Sequence, residues 1–281
     1  MGYQNMRNYS VSLHGNRFKE GYGFDTTAYT KQHVVNWSGG ADSTLCLYEL
    51  LKEYGPNHVT AISFNHPWLD EAKAAKELEY RNKFKEFITK EFPNGFNHVE
   101  FTQTVKPYGT PVYPKPGGNA QSTSWLLTEA VYLDDGDYFY DTSVIDDDIT
   151  LHIHDLINCV ESIEILLNRK IVFRQPYIYY HKYEIIHCLM QYGIYDYTWT
   201  CELPKDGHEC LECCPCKLMI SNLYYLKNFD GVDKVKNQAT ERLSRYKKLL
   251  DASKKDEKLT TIDPTASKSK RARSKKSKEE I

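Results

Sequence analysis

The stretch Val35-Asn36-Trp37-Ser38-Gly39-Gly40-Ala41-Asp42-Ser43-Thr44 decides how the first half of the chain folds. Apolar and β-branched residues lead into the two glycines and predict a buried strand. Leucines at helical spacing follow at positions 47 to 51 and predict a helix. A glycine turn between a strand and a helix brings unpaired backbone N–H groups and the positive end of the helix to one point. The stretch therefore predicts an anion-binding loop, and the alternative is a tight turn that binds no ligand.

The side chains of this loop suit phosphate chemistry. Ser38, Ser43 and Thr44 carry hydroxyls for phosphate oxygens, and Asp42 is placed to hold Mg²⁺ or a hydrogen-bond donor. The loop lacks the Gly-Lys-Ser/Thr ending of the common NTPase phosphate loop. Ser-Gly-Gly-x-Asp-Ser instead resembles the pyrophosphate loop of the N-type ATP pyrophosphatases, or PP-loop enzymes, which cleave ATP between the α and β phosphates. The resemblance implies ATP and Mg²⁺ as cofactors, bound by Trp37, Ser38, Gly39, Gly40, Ala41, Asp42, Ser43, Thr44, Leu45, Cys46 and Leu47.

Composition describes an ordinary soluble protein. The chain has 281 residues, of which 41% are hydrophobic and 26% charged. It contains no run near the roughly 18 apolar residues of a membrane span, and its N-terminus lacks a secretory apolar core. Five of the eight cysteines lie between positions 201 and 216, which favours metal binding over a disulfide framework. We therefore expect a cytoplasmic protein that makes no membrane contact.

Strand and helix patterns alternate along the chain. Strands are predicted at 34–37, 59–65, 97–105, 138–144 and 170–173, and helices at 44–54, 71–91, 124–133, 151–167 and 182–192, with a Pro- and Gly-rich loop at 108–121. This order predicts an α/β fold with a doubly wound, mostly parallel sheet, similar to the adenine nucleotide alpha hydrolases. Ligands bind such sheets beyond the carboxyl ends of the strands. The predicted divisions are an N-terminal arm (1–32), the α/β domain (33–200), a small C-terminal zinc-binding and helical element (201–250) and a basic, disordered tail (251–281).

A second motif lies near the end of the predicted α/β domain. Cys201-x8-Cys210-x2-Cys213-x2-Cys216 has the spacing of four thiolates around a structural Zn²⁺. Cys214 adjoins Cys213 and is an alternative to it as the third ligand. Buried free thiols and an iron–sulfur cluster are the other interpretations of the array.

The two motifs together resemble the 7-cyano-7-deazaguanine synthase family, which makes preQ0 in queuosine biosynthesis. The resemblance spans about 33–226 and includes His181-Lys182-Tyr183-Glu184-Ile185-Ile186 and Tyr197-Thr198-Trp199-Thr200-Cys201. Three stretches depart from the family pattern: Phe64-Asn65-His66, the acidic run Asp146-Asp147-Asp148, and Gly118, where the family has arginine. The nucleotide end is thus closer to the family than the substrate end.

The resemblance implies an ATP-dependent ligase. ATP would adenylate 7-carboxy-7-deazaguanine, ammonia would give an amide, and a second ATP would carry the amide to the nitrile. Asp42, Ser43 and Lys182 are the predicted catalytic residues, although Lys182 would otherwise be an ordinary solvated helix lysine. Asp147 is predicted to bind the guanine-like edge of the substrate, and a solvated acidic loop is the alternative.

Two other functions stay open. One is a tRNA-modifying sulfur or amide transferase of the same superfamily, and the other is a non-catalytic relative that binds nucleotide. Between positions 265 and 281 the tail has seven Lys or Arg against two Glu, so it is either simply solvated or attracts nucleic acid weakly. A homodimer is also left open. Cys46, Cys159 and Cys188 are predicted core residues.

Overall fold

The structure of the chain, a computed structural model, describes residues 30–65, 71–102, 120–147 and 153–261, with backbone alone at 120–124 and 253–261. Within these ranges one sheet is formed by β1 (His33–Asn36), β2 (Val59–Asn65), β3 (Asn97–Thr102), β4 (Asp137–Tyr140) and β5 (Ile171–Arg174). The strand order is β3-β2-β1-β4-β5, and every neighbouring pair is parallel. The sheet confirms the predicted doubly wound α/β fold class.

Helices cover both faces of this sheet. They are α1 (Ala41–Tyr54), α2 (Glu71–Thr89), α3 (Ala120–Ala130), α4 (Ile153–Leu167), α5 (Lys182–Tyr192), α6 (Cys214–Phe229) and α7 (Asp233–Thr261). Successive strand residues face opposite sides, so Val35 packs in a core with α1, α2, α5, α6 and α7. Its neighbour Val34 packs in a second core with α3 and α4. Of the helices described, none is both long and apolar enough to cross a membrane.

Several predicted boundaries differ from the observed ones. β4 ends at Tyr140 rather than at position 144, because the Asp141 carboxylate accepts hydrogen bonds from Ser143 and Gln175 at 2.9 and 2.8 Å and the chain turns there. α1 and α3 each begin three or four residues before their predicted starts. α7 runs to Thr261, so the boundary predicted at residue 251 falls within this helix. The arm before residue 30, most of the 108–121 loop and the chain after 261 lie outside the described residues.

The strand order fixes where a ligand can bind. β1 lies between β2 and β4, and the chain reverses its direction of winding between them. The loops that leave β1 and β4 therefore diverge and open a crevice at the carboxyl edge of the sheet. The Ser38–Gly40 turn follows β1 and Asp141 follows β4, so both lie at this crevice.

Candidate functional site

The loop after β1 is a glycine turn that leads directly into a helix. Gly40 is the N-cap of α1, and its carbonyl accepts the N–H of Thr44 at 3.1 Å. The Ser38 hydroxyl accepts the N–H of Gly40 at 3.1 Å and lies 3.2 Å from the Ser43 hydroxyl. The first-turn N–H groups of α1 have no carbonyl partner within the helix, because no turn precedes them. The loop thus combines two hydroxyls with a helix N-terminus, and its binding of an anion stays a prediction.

Gly39 is held against α2. Its φ of +88° lies in the region that side chains rarely adopt, and a Cβ there would be 3.1 Å from Arg81 Cγ and 3.3 Å from the Glu77 carbonyl. The buried Arg81 guanidinium donates to the Ser38 carbonyl at 3.2 Å and to Asn65 Oδ1 at 2.6 Å. Arg81 therefore fixes the loop and the end of β2 together. Arg81 was not predicted from the sequence, because its place on α2 resembles that of any surface cation.

Asp42 and Lys182 are 140 positions apart in the chain and meet at the crevice. The Lys182 ammonium at the start of α5 donates to Asp42 Oδ2. Burial opposes the charge on Lys182, but the carboxylates of Asp42 and Asp147 outweigh it and raise the pKa of Lys182 above its usual value. Asp42 Oδ1 is buried and has no hydrogen-bond partner in the described part of the chain. A carboxylate oxygen in that position fits a Mg²⁺ ligand.

The acidic turn after β4 organises the start of α5. Asp146 accepts the backbone N–H of Lys182 at 2.7 Å and contacts His181 Nδ1 at 3.0 Å. Asp147 Oδ2 accepts the N–H of Val144 at 3.0 Å, so part of this carboxylate already stabilises the turn. Burial raises the pKa of Asp147, while Lys182 acts in the opposite direction. Asp147 lines the crevice, and its predicted contact with substrate stays a prediction; Asp148 lies outside the described residues.

Four positions of the predicted nucleotide-binding run point away from the crevice. The side chains of Trp37, Leu45, Cys46 and Leu47 are buried in the core, so these positions could reach a ligand only through their backbone. Thr44 is also buried, and its hydroxyl accepts Trp37 Nε1–H at 3.1 Å instead of facing the crevice. Within this predicted run, the residues that line the crevice are Ser38, Gly40, Ala41, Asp42 and Ser43.

Two connected cavities form the crevice. We call the first the sheet cavity; it has a volume of about 490 Å³ and is bounded by Asn36, Phe64, Trp125, Glu129, Phe139 and Asp141. The second, the cysteine cavity, measures about 390 Å³ and is bounded by Lys182, Trp199, Cys201 and Cys214. Ser38 and Asp42 line both cavities, so the glycine loop lies between them. Lys73 of α2 also lines both and pairs with Glu202, a second cation that the sequence analysis missed.

The cysteine array forms one compact cluster. One sulfur from each of Cys201, Cys210, Cys213 and Cys216 lies within 4.8 Å of all the others. Four ligands at the usual Zn–S distance place their sulfurs about 3.8 Å apart. A cubane cluster spreads its thiolates farther, because each thiolate binds a different iron. The cluster therefore fits a single tetrahedral ion, and Cys214, which is exposed, lies outside it.

Backbone N–H groups favour the thiolate form at one cysteine of this cluster, Cys210, whereas burial raises the pKa of Cys201 and of Cys216. The N–H groups of Glu212 and Cys213 donate to Cys210 Sγ at 3.4 and 3.3 Å. Burial acts against ionisation of Cys210, but these hydrogen bonds outweigh it and lower its pKa to about 7. The cluster is also tied to the loop, because the Trp199 N–H donates to the Gly39 carbonyl at 3.0 Å. A metal bound here would brace the glycine loop through Trp199, in addition to the support that Arg81 gives.

Comparison with known proteins finds solved structures of low sequence identity and low structural similarity. No protein-family profile matches it. U34-tRNA thiolase NcsA from Methanococcus maripaludis, a structure with its [4Fe-4S] cluster, aligns at 14% identity and a TM-score of 0.44 over 86% of this chain and 78% of that one. NH3-dependent NAD synthetase from Campylobacter jejuni aligns at 12% identity and a TM-score of 0.35, over 83% of this chain and 90% of that one. Glutamine-dependent NAD+ synthetase from Acinetobacter baumannii aligns at 14% identity and a TM-score of 0.32, over 76% of this chain and 39% of that one. At these scores the similarities assign neither a family nor a reaction.

Proposed function

We propose that this chain is an N-type ATP pyrophosphatase that activates a carboxylate as an acyl-adenylate. The Asp42–Lys182 pair at the mouth of the glycine loop carries the proposal. The pair places a cation and a carboxylate beside a helix N-terminus, at the switch point of a doubly wound sheet. One oxygen of this carboxylate has no hydrogen-bond partner among the described residues. These are the groups that binding and cleaving a nucleoside triphosphate requires.

The loop residues divide the work on the phosphates. The N–H groups of the first turn of α1, with the Ser38 and Ser43 hydroxyls, would bind the leaving pyrophosphate, where negative charge develops. The Lys182 ammonium, which donates to Asp42, would also donate a hydrogen bond to a phosphate oxygen. Asp42 would hold Mg²⁺ through its free oxygen, and the ion would neutralise phosphate charge. Asp42 therefore has two tasks, since it positions the lysine and binds the metal.

For the acceptor we propose 7-carboxy-7-deazaguanine, with ammonia as the second substrate. A carboxylate oxygen attacks the α phosphorus and pyrophosphate leaves. Ammonia then attacks the acyl carbon, AMP leaves and the nitrogen loses a proton, which gives the amide. A second ATP activates the amide oxygen in the same way, and loss of AMP and a proton leaves the nitrile. The sequence resemblance supports this acceptor, and the aromatic and acidic lining of the sheet cavity suits a planar polar base.

We further propose that the cysteine cluster binds a structural Zn²⁺. All four of its ligand positions are supplied by the protein, which leaves no open coordination position for catalysis. Its contribution would be to hold the 199–216 segment in place and, through Trp199, the glycine loop.

The experiment is to incubate the full chain with ATP, Mg²⁺, ammonium and 7-carboxy-7-deazaguanine and to follow the base and AMP by mass spectrometry. The nitrile together with AMP would establish the proposed reaction, whereas the amide alone would indicate a one-step variant. If AMP formed with RNA and a sulfur or amide donor but never with the base, the enzyme would be a tRNA-modifying transferase. ATP binding with no AMP in any mixture would indicate a non-catalytic nucleotide-binding protein.

A further inference from the structure

Glu129 is a buried carboxyl group that the proposed chemistry does not use. It lies near the end of α3, is 1% exposed and faces the sheet cavity. Neither of its oxygens has a hydrogen-bond partner in the described part of the chain. A buried polar group without a partner costs stability, because it has lost water and gained nothing in return. Such a group is more typical of a binding site than of a structural core.

The surroundings of Glu129 increase this cost. The carboxyl group of Asp141, just after β4, is half-buried, and each of its oxygens already accepts a hydrogen bond. Burial, together with the proximity of Asp141, raises the pKa of Glu129 well above its usual range. Hydrogen-bond donors supplied by a ligand would relieve both effects.

The remaining walls of the sheet cavity suit a flat ring. Phe64 and Trp125 stack with their centroids 5.7 Å apart and their planes at 17°, and Phe139 is on the same side of the sheet. Ser38 and Asp42 of the glycine loop line the same cavity. A ligand in this cavity would thus meet aromatic rings, a buried acid and the glycine loop.

We propose that Glu129 is the specificity-determining residue of the sheet cavity and accepts a hydrogen bond from the exocyclic amino group of a guanine-like heterocycle. This inference rests on the proposed function, since it identifies how the acceptor base is recognised. Either protonation state of Glu129 supports the contact. A carboxylate offers two acceptors to the amino N–H and the ring N–H, and a neutral acid offers an acceptor and a donor to the amino N–H and the adjacent ring nitrogen.

The test uses a matched pair of bases without a carboxylate, so that it does not depend on catalysis. Dissociation constants of 7-deazaguanine and 7-deazahypoxanthine, which lacks the amino group, are measured by calorimetry on the full chain and on Glu129→Met. We expect wild type to bind 7-deazaguanine about tenfold or more tightly than 7-deazahypoxanthine, and Glu129→Met to lose this preference. Glu161→Met, at an exposed position on α4, is the control and should keep it.

A second readout separates recognition from a structural role. Because Glu129 is buried without a partner, Glu129→Met should keep or raise the melting temperature while the preference is lost. Equal binding of both bases by wild type, binding of neither, tighter binding of 7-deazaadenine, or a preference that survives in Glu129→Met would each overturn the inference. If the preference is present but no AMP forms with the carboxylated base, the proposed reaction fails and the recognition by Glu129 stands.

Discussion

The two oxygens of the Asp42 carboxylate have different surroundings. Its Oδ2 accepts from the Lys182 ammonium, and its Oδ1 is buried and without a partner in the part of the chain that the structure describes. Gly39 and Glu129 are constrained in comparable ways, the first by its backbone and the second by burial. Each of the three residues can be replaced singly, so its role can be tested individually.

Asp42→Asn should reduce AMP formation at least about a hundredfold. The amide keeps the shape of the side chain but removes the charge that attracts Mg²⁺ and orients Lys182. The measurement is AMP release under saturating ATP, with circular dichroism to verify the fold. Asp251→Asn, at an exposed position on α7, is the control. Unchanged AMP release in Asp42→Asn would exclude a role for Asp42 in the reaction.

Gly39→Ala should lower the free energy of unfolding by about 1–2 kcal/mol. The new Cβ would be held at a φ of +88° and pressed against α2. Gly40→Ala is the matched control, because Gly40 has a φ of −72° and a Cβ there meets only the Ser38 hydroxyl within 3.4 Å. Urea unfolding of both variants gives the comparison, and equal losses would show that the backbone conformation of Gly39 is not the cause.

The raised pKa of Glu129 predicts a pH dependence of stability. Between its usual pKa of about 4.5 and the raised value, folded Glu129 holds a proton that the unfolded chain has released. Wild-type stability should therefore fall as the pH rises through this window. Glu129→Gln removes this ionisation, so its stability relative to wild type should grow from pH 4 to pH 7. Urea unfolding across this range is the measurement, and a constant difference would contradict the prediction.

Among the elements, the cysteine segment and the glycine loop form one unit. Cys213 is the N-cap of α6, the sulfurs of the cluster converge at the start of this helix, and the Trp199 backbone connects the segment to Gly39. α2 also supports the loop, through Arg81. The loop geometry thus depends on two elements that follow it in the chain, at distances of about 40 and 160 residues.

Cys213→Ser should lower bound zinc below one ion per chain. With three thiolates the site loses much of its contribution to folding, and a loss of about 2 kcal/mol would lower the melting temperature by about 4–8 °C. Cys214→Ser is the matched control, because Cys214 is exposed and outside the cluster. Metal analysis and thermal unfolding test both variants. If Cys213→Ser kept one zinc ion per chain and Cys214→Ser lost it, Cys214 rather than Cys213 would be the zinc ligand.

At the scale of the whole molecule, the strand order brings the functional residues to one edge. The residues that line the crevice come from the ends of β1, β2 and β4, from the turns after β1 and β4, from α1 to α5, and from the cysteine segment with the start of α6. They share the carboxyl edge of the sheet because all five strands described are parallel. The basic residues between 265 and 281 are outside the described ranges, and only their charge is used in the prediction below.

Removal of residues 265–281 should leave AMP formation with the free base unchanged and weaken RNA binding. The deletion removes seven cationic residues, and phosphate contacts account for most non-specific affinity. RNA binding measured at about 50 and 200 mM salt should show a shallower salt dependence in the truncated chain. Equal RNA binding by both chains would place any nucleic-acid contact elsewhere, and lost AMP formation would give the tail a part in the reaction.

Local features were largely predictable, because they depend on neighbouring residues. Hydrophobic periodicity identified β2 and α5 with the bounds that the structure shows, and β1, α2 and α4 within a few residues. The loop motif and the cysteine spacing were equally visible, since each lies within a short stretch of chain. The end of β4 was predicted wrongly, because the Asp141 hydrogen bonds that turn the chain include one from Gln175 on the far side of α4 and β5.

The sequence by itself determined the α/β fold class, the glycine loop and the cysteine array, because periodicity and spacing are local properties of a chain. Only the tertiary structure decided that Lys182 meets Asp42, that Arg81 lies behind Gly39, that Cys213 rather than Cys214 joins the cluster, and that Glu129 faces the sheet cavity. These contacts depend on how each helix is rotated and packed against the sheet. Packing is the sum of many distant contacts, so no short pattern in the chain reveals it.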